Sequence, residues 1–299
     1  MEKFEKSPSG ENNEELKIET HSFPILNIPL QKRYDRIAGS WNGPLYEGIR
    51  KDEFIPKLID SGRMSDGLRV LEAMSGTALL SSQIKDKFPQ TDAWALDFSP
   101  GMLNMIEPAI QKVESSIIST PFLKRSFDRV FLRSALYDLP RQAQLKALQE
   151  IRRVLKKDGL FILQTYYSTD DTNKVLNDLV NLKDLASGQY QDMGNERPRY
   201  FATQTELEQW FLQAGFNFEK VESFNGIIQY TRTSEMSDMG KAMWIKYVKD
   251  LPNDVREKIN LREDNGTITF DWPGLIYRLG GWAQWLDFDE SQAVDQIKK

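Results

Sequence analysis

Residues 68–103 read LRVLEAMSGTALLSSQIKDKFPQTDAWALDFSPGML, and this stretch decides the fold. Leu68–Ala73 is a short apolar run that reads as a buried strand and ends in the small-residue turn Ser75-Gly76-Thr77. Ala78–Phe88 follows as a helix with Leu79, Leu80 and Ile84 on one face, and Asp92–Asp97 is a second strand. Pro100–Val113 reads as a second helix, with Met102, Leu103, Ile106 and Ile110 at helical spacing. Beyond it, Ser115–Ser119 is a weak third strand, Phe127–Arg133 a fourth and Leu160–Thr165 a fifth. Gln142–Leu155, an amphipathic helix closed by the turn Lys156-Lys157-Asp158-Gly159, separates the last two. Strands alternating with helices at this spacing predict an α/β fold with a doubly wound, mostly parallel sheet. Right-handed crossovers place all the strand carboxyl ends on one edge, where a ligand binds at the switch point of strand order.

Two features mark that edge. The turn after the first strand lets a ligand approach the backbone and exposes the amide groups of the next helix. Asp97 ends the second strand roughly 25 residues after Glu72, where a nucleotide-binding sheet places a carboxylate for two ribose hydroxyls. Ser99 before Pro100 caps the following helix, so the cap does not need Asp97.

Composition sets the outer limits. The chain has 299 residues, enough for one large domain or two small ones, and a net charge of −5. That balance disfavours nucleic acid and an anionic membrane surface as partners. With no cysteine there is no disulfide, thiol catalysis or thiolate metal site, and with His21 alone no histidine-rich metal site. We therefore expect no metal. The first residues lack the apolar core of a secretory signal, and no apolar run approaches the roughly 20 residues that span a bilayer. A cytoplasmic address is the expectation.

The organisation expected is a disordered tail over 1–22, a helical cap over 23–65, a core over 66–281 and an extension over 282–299. Lid insertions fall around 166–200 and 232–264. Within the second half, Asp170–Leu185 reads as a polar helix and Gly188–Tyr200 as a loop. Thr205–Gly215, Met239–Leu251 and Asn253–Ile259 also read as helices. Asn217–Ser223, Ile227–Thr231 and Thr267–Leu279 read as strands. Trp282, Trp285, Leu286 and Phe288 could pack on the domain or on a second subunit, which makes a homodimer an option.

Taken together, these segments resemble the class I S-adenosylmethionine-dependent methyltransferases of the small-molecule kind. VLEAMSGTA (70–78) resembles the family's first motif, VLDVGCGTG, with Met74 and Ala78 in place of the outer glycines. LDFSPGML (96–103) matches its second motif, an acid followed by Ser and Met-Leu. SFDRVFLRSALYDLP, LKALQEIRRVLKKDGLFIL and FATQTELEQWFLQAGF resemble three later motifs in the right order, and YDRIAGSW resembles the helix that closes over the cofactor. The resemblance covers roughly residues 30–280. It implies a seven-stranded Rossmann-like sheet with helical lid insertions, and S-adenosylmethionine as cofactor with S-adenosylhomocysteine as product.

Residue by residue, the resemblance implies that Glu72 pairs with the cofactor's amino group and that Ala73, Ser75 and Gly76 run their backbone along it. Asp97 binds the ribose, Phe98, Met102 and Ile117 flank the adenine, and Ser116 stands where the family has an acid for the adenine amino group. Arg133 and Ser134 lie beneath the methionine portion, and Tyr34 closes the pocket. Methyl transfer is an in-line displacement that needs alignment in a dry pocket, with a base only for hydroxyl or carbon acceptors. Tyr137 and Asp138 stand where the family has a His pair and are the candidate catalytic groups. Trp41, Tyr46, Tyr166, Tyr200 and Tyr230 are the candidate lining for an apolar or aromatic acceptor. A SAM-binding protein of the cyclase or non-catalytic kind is the alternative. A nicotinamide oxidoreductase would need a full GxGxxG turn, which residues 74–78 lack.

Overall fold

The computed structural model describes residues 28–43, 54–186, 199–230, 237–264 and 267–281. The expected tail and C-terminal extension, His21, Tyr46 and most of the expected 188–200 loop lie outside the described residues. The sheet forms from β1 (Arg69–Ala73), β2 (Asp92–Asp97), β3 (Gln111–Glu114), β4 (Phe127–Arg133) and β5 (Leu155–Tyr166), all parallel to one another. Two long strands, β6 (Asn217–Tyr230) and β8 (Thr267–Gly280), complete it, with β8 antiparallel to both β5 and β6. The order is β3-β2-β1-β4-β5-β8-β6, and the short β7 (Arg262–Asp264) pairs only with the start of β8. Strand order reverses between β1 and β4, and that crevice is the predicted ligand position.

Period-two alternation sorts the strand side chains onto two faces. Val70, Phe131, Ile162 and Ile276 pack under α2 (Ile55–Ser61) and α3 (Leu79–Lys87), against Ile55, Leu58, Leu80 and Ile84. Leu71, Val130, Leu132, Phe161 and Leu163 face α5 (Arg141–Val154) and α7 (Gln204–Gln213), against Leu148, Ile151, Leu207 and Phe211. α7 begins with a capping box, Thr203 accepting from the Glu206 N–H and Glu206 from the Thr203 N–H. A separate apolar cluster joins α6 (Asn173–Ala186), α8 (Asp238–Lys249) and α9 (Asn253–Lys258) to the outer halves of β5 and β8, around Leu176, Leu179, Trp244, Phe270 and Trp272. The Trp244 indole donates to the Leu179 carbonyl at 3.0 Å, which ties the two lid helices together.

Four expectations change. The helix expected over 100–113 is only α4, Pro100–Asn104, because Pro108 has no N–H and its ring clashes with a continuing helix. The third strand is therefore Gln111–Glu114 rather than Ser115–Ser119, and the serines form the loop beyond it. The expected turn at 156–159 is absorbed into β5, whose register shifts between Phe127 and Arg129. The two strands expected at 217–223 and 227–231 are one strand, since β6 pairs with β8 along its whole length.

Candidate functional site

The turn after β1 is held in an unusual backbone shape. Met74, Gly76 and Ala78 lie in the left-handed region at φ 52°, 55° and 54°. Glycine reaches this region without strain, whereas Met74 and Ala78 each carry a Cβ that crowds the backbone there. The Ser75 N–H donates to the Leu96 carbonyl at 3.0 Å, which ties the turn to the end of β2. A Cβ added at Gly76 would come no nearer than 3.6 Å to Trp41 Nε1, so the backbone face of the turn stays open to a ligand under the indole.

Asp97 ends β2 beside that turn. Its Oδ2 accepts from the Gly76 N–H at 2.8 Å and its Oδ1 from the Ser99 N–H at 2.9 Å. Burial pushes its carboxyl up to about 6, against the pull of those N–H groups. At pH 7 it is therefore mostly ionised, with lone pairs left for two hydroxyls. Glu72 is buried on β1 and accepts from the Ser81 N–H at 2.8 Å, so it satisfies the first turn of α3. Burial raises its pKa, while the Arg133 charge and the Ser81 hydrogen bonds oppose the rise.

A pocket opens between these strand ends, lined by Leu30, Met74, Leu96, Phe98, Ser115, Ser116, Ile117, Asp138, Leu139 and Pro140. Its lining is mostly apolar, with Ser115, Ser116 and Asp138 as the polar residues, which suits a heteroaromatic ring. Phe98, Ser116 and Ile117, expected around the adenine, are among its lining residues. Met102, also expected there, is fully buried and is not among the lining residues, its N–H donating to Ser99 Oγ at 3.1 Å.

Helix α1 (Ile28–Trp41) covers this edge. Asp35 accepts from Ser99 Oγ at 2.6 Å and from the Gly101 N–H at 2.9 Å, so α1 is fastened to the start of α4. Gly101 is required there, since a Cβ would sit 2.7 Å from the Asp35 Cα. Gln31 donates to the Phe98 carbonyl at 2.6 Å, and the Tyr34 ring meets Trp41 and Phe98 edge-on at 5.9 and 6.1 Å. Sequence reasoning placed Tyr34 but missed Asp35 and Gln31. Their signal was a pair of polar residues on the inner face of an otherwise ordinary amphipathic helix.

Tyr34 Oη donates to Asp138 Oδ2 at 2.6 Å, and the Arg199 guanidinium pairs with Asp138 Oδ1 at 3.0 Å and Asp184 Oδ2 at 3.4 Å. Both Asp138 oxygens are thus engaged by cationic or hydroxyl partners from α1 and the lid. Burial and the neighbouring Asp138 charge raise the Tyr34 pKa. Burial first and Asp138 next hold Tyr137 well above an ordinary phenol, so it keeps its proton at neutral pH. The Tyr137 ring stacks on Phe201 at 4.4 Å.

The expected acceptor lining is divided. Tyr166 is buried at the end of β5 against Phe224 and Trp272. Tyr200 turns toward α7 and donates to Glu206 at 2.7 Å, and Trp41 lies over Gly76 on the Asp97 side. Tyr230 is the last residue of β6. Arg133 and Ser134 end β4, with Ser134 left-handed at φ 52° and its N–H donating to the Gln164 carbonyl at 2.9 Å.

Residues 71–163 match the sequence profile of a methyltransferase domain. No curated protein matches the chain in sequence. Among solved structures, it is similar to the YcgJ protein of Bacillus subtilis at 19% identity and TM-score 0.64, over 77% of this chain and 98% of that one. It is similar to a proposed methyltransferase of Bacillus halodurans at 16% identity and TM-score 0.63, over 76% and 98% of the two chains. A third likeness is to the [4+2]-cyclase SpnF, at 13% identity and TM-score 0.56, over 87% and 99%. The strand order, the open turn beside Asp97 and the profile match agree. Residues 71–163 thus match a methyltransferase-domain family, and the chain has the Rossmann-like fold of the methyltransferases.

Proposed function

We propose that the protein moves a methyl group from S-adenosylmethionine to an O, N or C atom of a small, mainly apolar or aromatic molecule. The observation that carries this reading is Asp97, a buried carboxylate fixed by two backbone N–H groups beside an open, left-handed turn. The cofactor supplies a methyl group on a sulfonium. In this reading Asp97 receives the ribose hydroxyls, and Phe98, Ser116 and Ile117 enclose the adenine, with Met102 behind them. The backbone of Ala73, Ser75 and Gly76 takes the methionine portion, with Glu72, Arg133 and Ser134 around it. The Ser75 hydroxyl is buried without a partner, which fits a polar ligand group at that position. Tyr34 shuts the edge from α1.

Catalysis here rests on alignment and exclusion of water, which suffices for a nitrogen with a free lone pair, whereas a hydroxyl or carbon acceptor enters already ionised or gives its proton to solvent. Tyr137 holds its proton and Asp138 is paired with Arg199 and Tyr34, so both act as fixed walls that orient the acceptor. Tyr166 is the expected lining residue that lies on the acceptor side. The acidic balance of the chain favours a small molecule over nucleic acid. The second reading is a SAM-binding protein that catalyses no transfer. The engagement of both candidate catalytic groups favours it, and the fold-level likeness to a cyclase is compatible with it.

Calorimetric titration with S-adenosylmethionine and S-adenosylhomocysteine tests the cofactor site. Micromolar binding that Asp97→Ala abolishes supports it, and no binding to a folded sample overturns it. Detection of S-adenosylhomocysteine on incubation with small-molecule extracts separates transfer from binding alone.

A further inference from the structure

We propose that Gln164 is the group that recognises the methyl acceptor, and that the acceptor carries a neutral head that both donates and accepts a hydrogen bond. A hydroxyl or a carboxamide on an apolar body has this chemistry. The proposal rests on the methyltransferase reading above.

Gln164 interrupts an apolar strand, LFILQT, near the carboxyl end of β5. Its residue is fully buried, and neither Oε1 nor Nε2 has a hydrogen-bond partner. Burying an amide without a partner is costly, so an apolar residue would serve a purely structural strand better. A second unpartnered group lies one strand away. Ser134 follows the β4 residue that pairs with Gln164, and its Oγ is likewise buried and alone. Ser134 also holds a left-handed backbone, a second cost at the same place.

The position lies one strand beyond Arg133 and Ser134, on the far side from the turn that takes the cofactor. Alternation puts Gln164 on the same face as Ile162 and Tyr166, beside its register partners Arg133 on β4 and Ile276 on β8. It is two strands from β1, about 10 Å at ordinary strand spacing, and so beyond the turn at residues 74–78. The surroundings on this side are aromatic, with Tyr166 and Phe224 at 5.6 Å and Phe224 and Phe54 at 4.4 Å. A carboxamide offers one acceptor and two donors but no charge, and it cannot take a proton at neutral pH. A neutral donor–acceptor head therefore matches both Oε1 and Nε2, whereas an anionic head uses only the Nε2 donors and leaves the buried Oε1 unmatched.

Gln164→Met keeps the side-chain length and removes every donor and acceptor. Three measurements on the full chain test the proposal. Thermal melting of the ligand-free protein is expected to rise by about 2 °C or more, because an unsatisfied group has been removed. S-adenosylhomocysteine affinity is expected to stay within about twofold of wild type. Ligand-observed NMR in saturating S-adenosylhomocysteine is expected to show phenol and benzamide bound to wild type, benzoate unbound, and both signals lost in the variant. A lower melting point or failure to fold would show that the amide has a structural role and would overturn the proposal. Weakened S-adenosylhomocysteine binding in the variant would reassign Gln164 to the cofactor. Phenol and benzamide signals that are absent from wild type, or equal in the variant, would also overturn it. Wild type that fails to bind S-adenosylhomocysteine would sink the methyltransferase reading itself, which the ligand-free melting comparison does not depend on.

Discussion

The two halves of the sheet's carboxyl edge are built from different materials. At the ends of β1 and β2, the two carboxylates are satisfied by nearby backbone, with Asp97 held by Gly76 and Ser99 and Glu72 by Ser81. At the ends of β4 and β5, side chains arrive from distant segments. Asp138 meets Tyr34 and Arg199, while Gln164 and Ser134 keep buried groups without partners. A site formed by backbone within one motif can be carried by a short stretch of sequence. A site formed by scattered side chains can change its specificity without disturbing that motif.

The comparison can be broken most sharply at Asp97. Asp97→Ala removes a charged acceptor for two hydroxyls and is expected to weaken S-adenosylhomocysteine binding by on the order of 100-fold, read by calorimetry. Gly101→Ala is the next test. Its new methyl would collide with the α1 backbone at Asp35, and overpacking of this kind costs about 1–3 kcal/mol. Faster proteolysis within α1 and roughly tenfold weaker S-adenosylhomocysteine binding are expected, and unchanged values would mean that α1 does not cover the site.

Acidification acts on the same half. Asp97 titrates near 6, raised above its unfolded value, so protonation below that pH removes its acceptor capacity. S-adenosylhomocysteine affinity is expected to be flat above pH 7 and to fall about tenfold by pH 5. On stability the sign is opposite, because the folded state binds this proton more readily. The term from Asp97 favours folding at low pH and is lost as pH rises through about 6. A flat affinity profile in Asp97→Asn would assign the pH dependence to this group. The smallest effect is expected on the other side of the comparison. Tyr34→Phe removes one hydrogen bond to Asp138 but leaves the Arg199 pair, costing about 1–2 kcal/mol in thermal or denaturant stability.

Much of the Asp97 half was legible in the sequence. Strand period, the small-residue turn and an acid at a strand end are local patterns, and β1, β2 and β4 fall where those patterns predict. The region after α4 was misread because helical spacing of Met102, Leu103, Ile106 and Ile110 outweighed Pro108, which has no N–H to continue a helix. The correction matters for the site, since it frees Ser115 and Ser116 to line the pocket. The contact that Tyr200 makes was illegible for another reason. An aromatic residue near a lid reads the same whether it faces a ligand or a neighbouring helix, and only its hydrogen bond to Glu206 decides.

By itself the sequence determined the parallel sheet, the joint between β1 and α3, and the carboxylate that ends β2. These depend on side-chain period and backbone sterics within a few residues. Only the tertiary structure decided that Asp35 fastens α1 to Ser99 and Gly101, that Arg199 faces Asp138, and that the Gln164 amide is buried without a partner. Those partners lie tens of residues apart along the chain. Which side chain meets which is settled by packing of whole elements, and no local spacing encodes it.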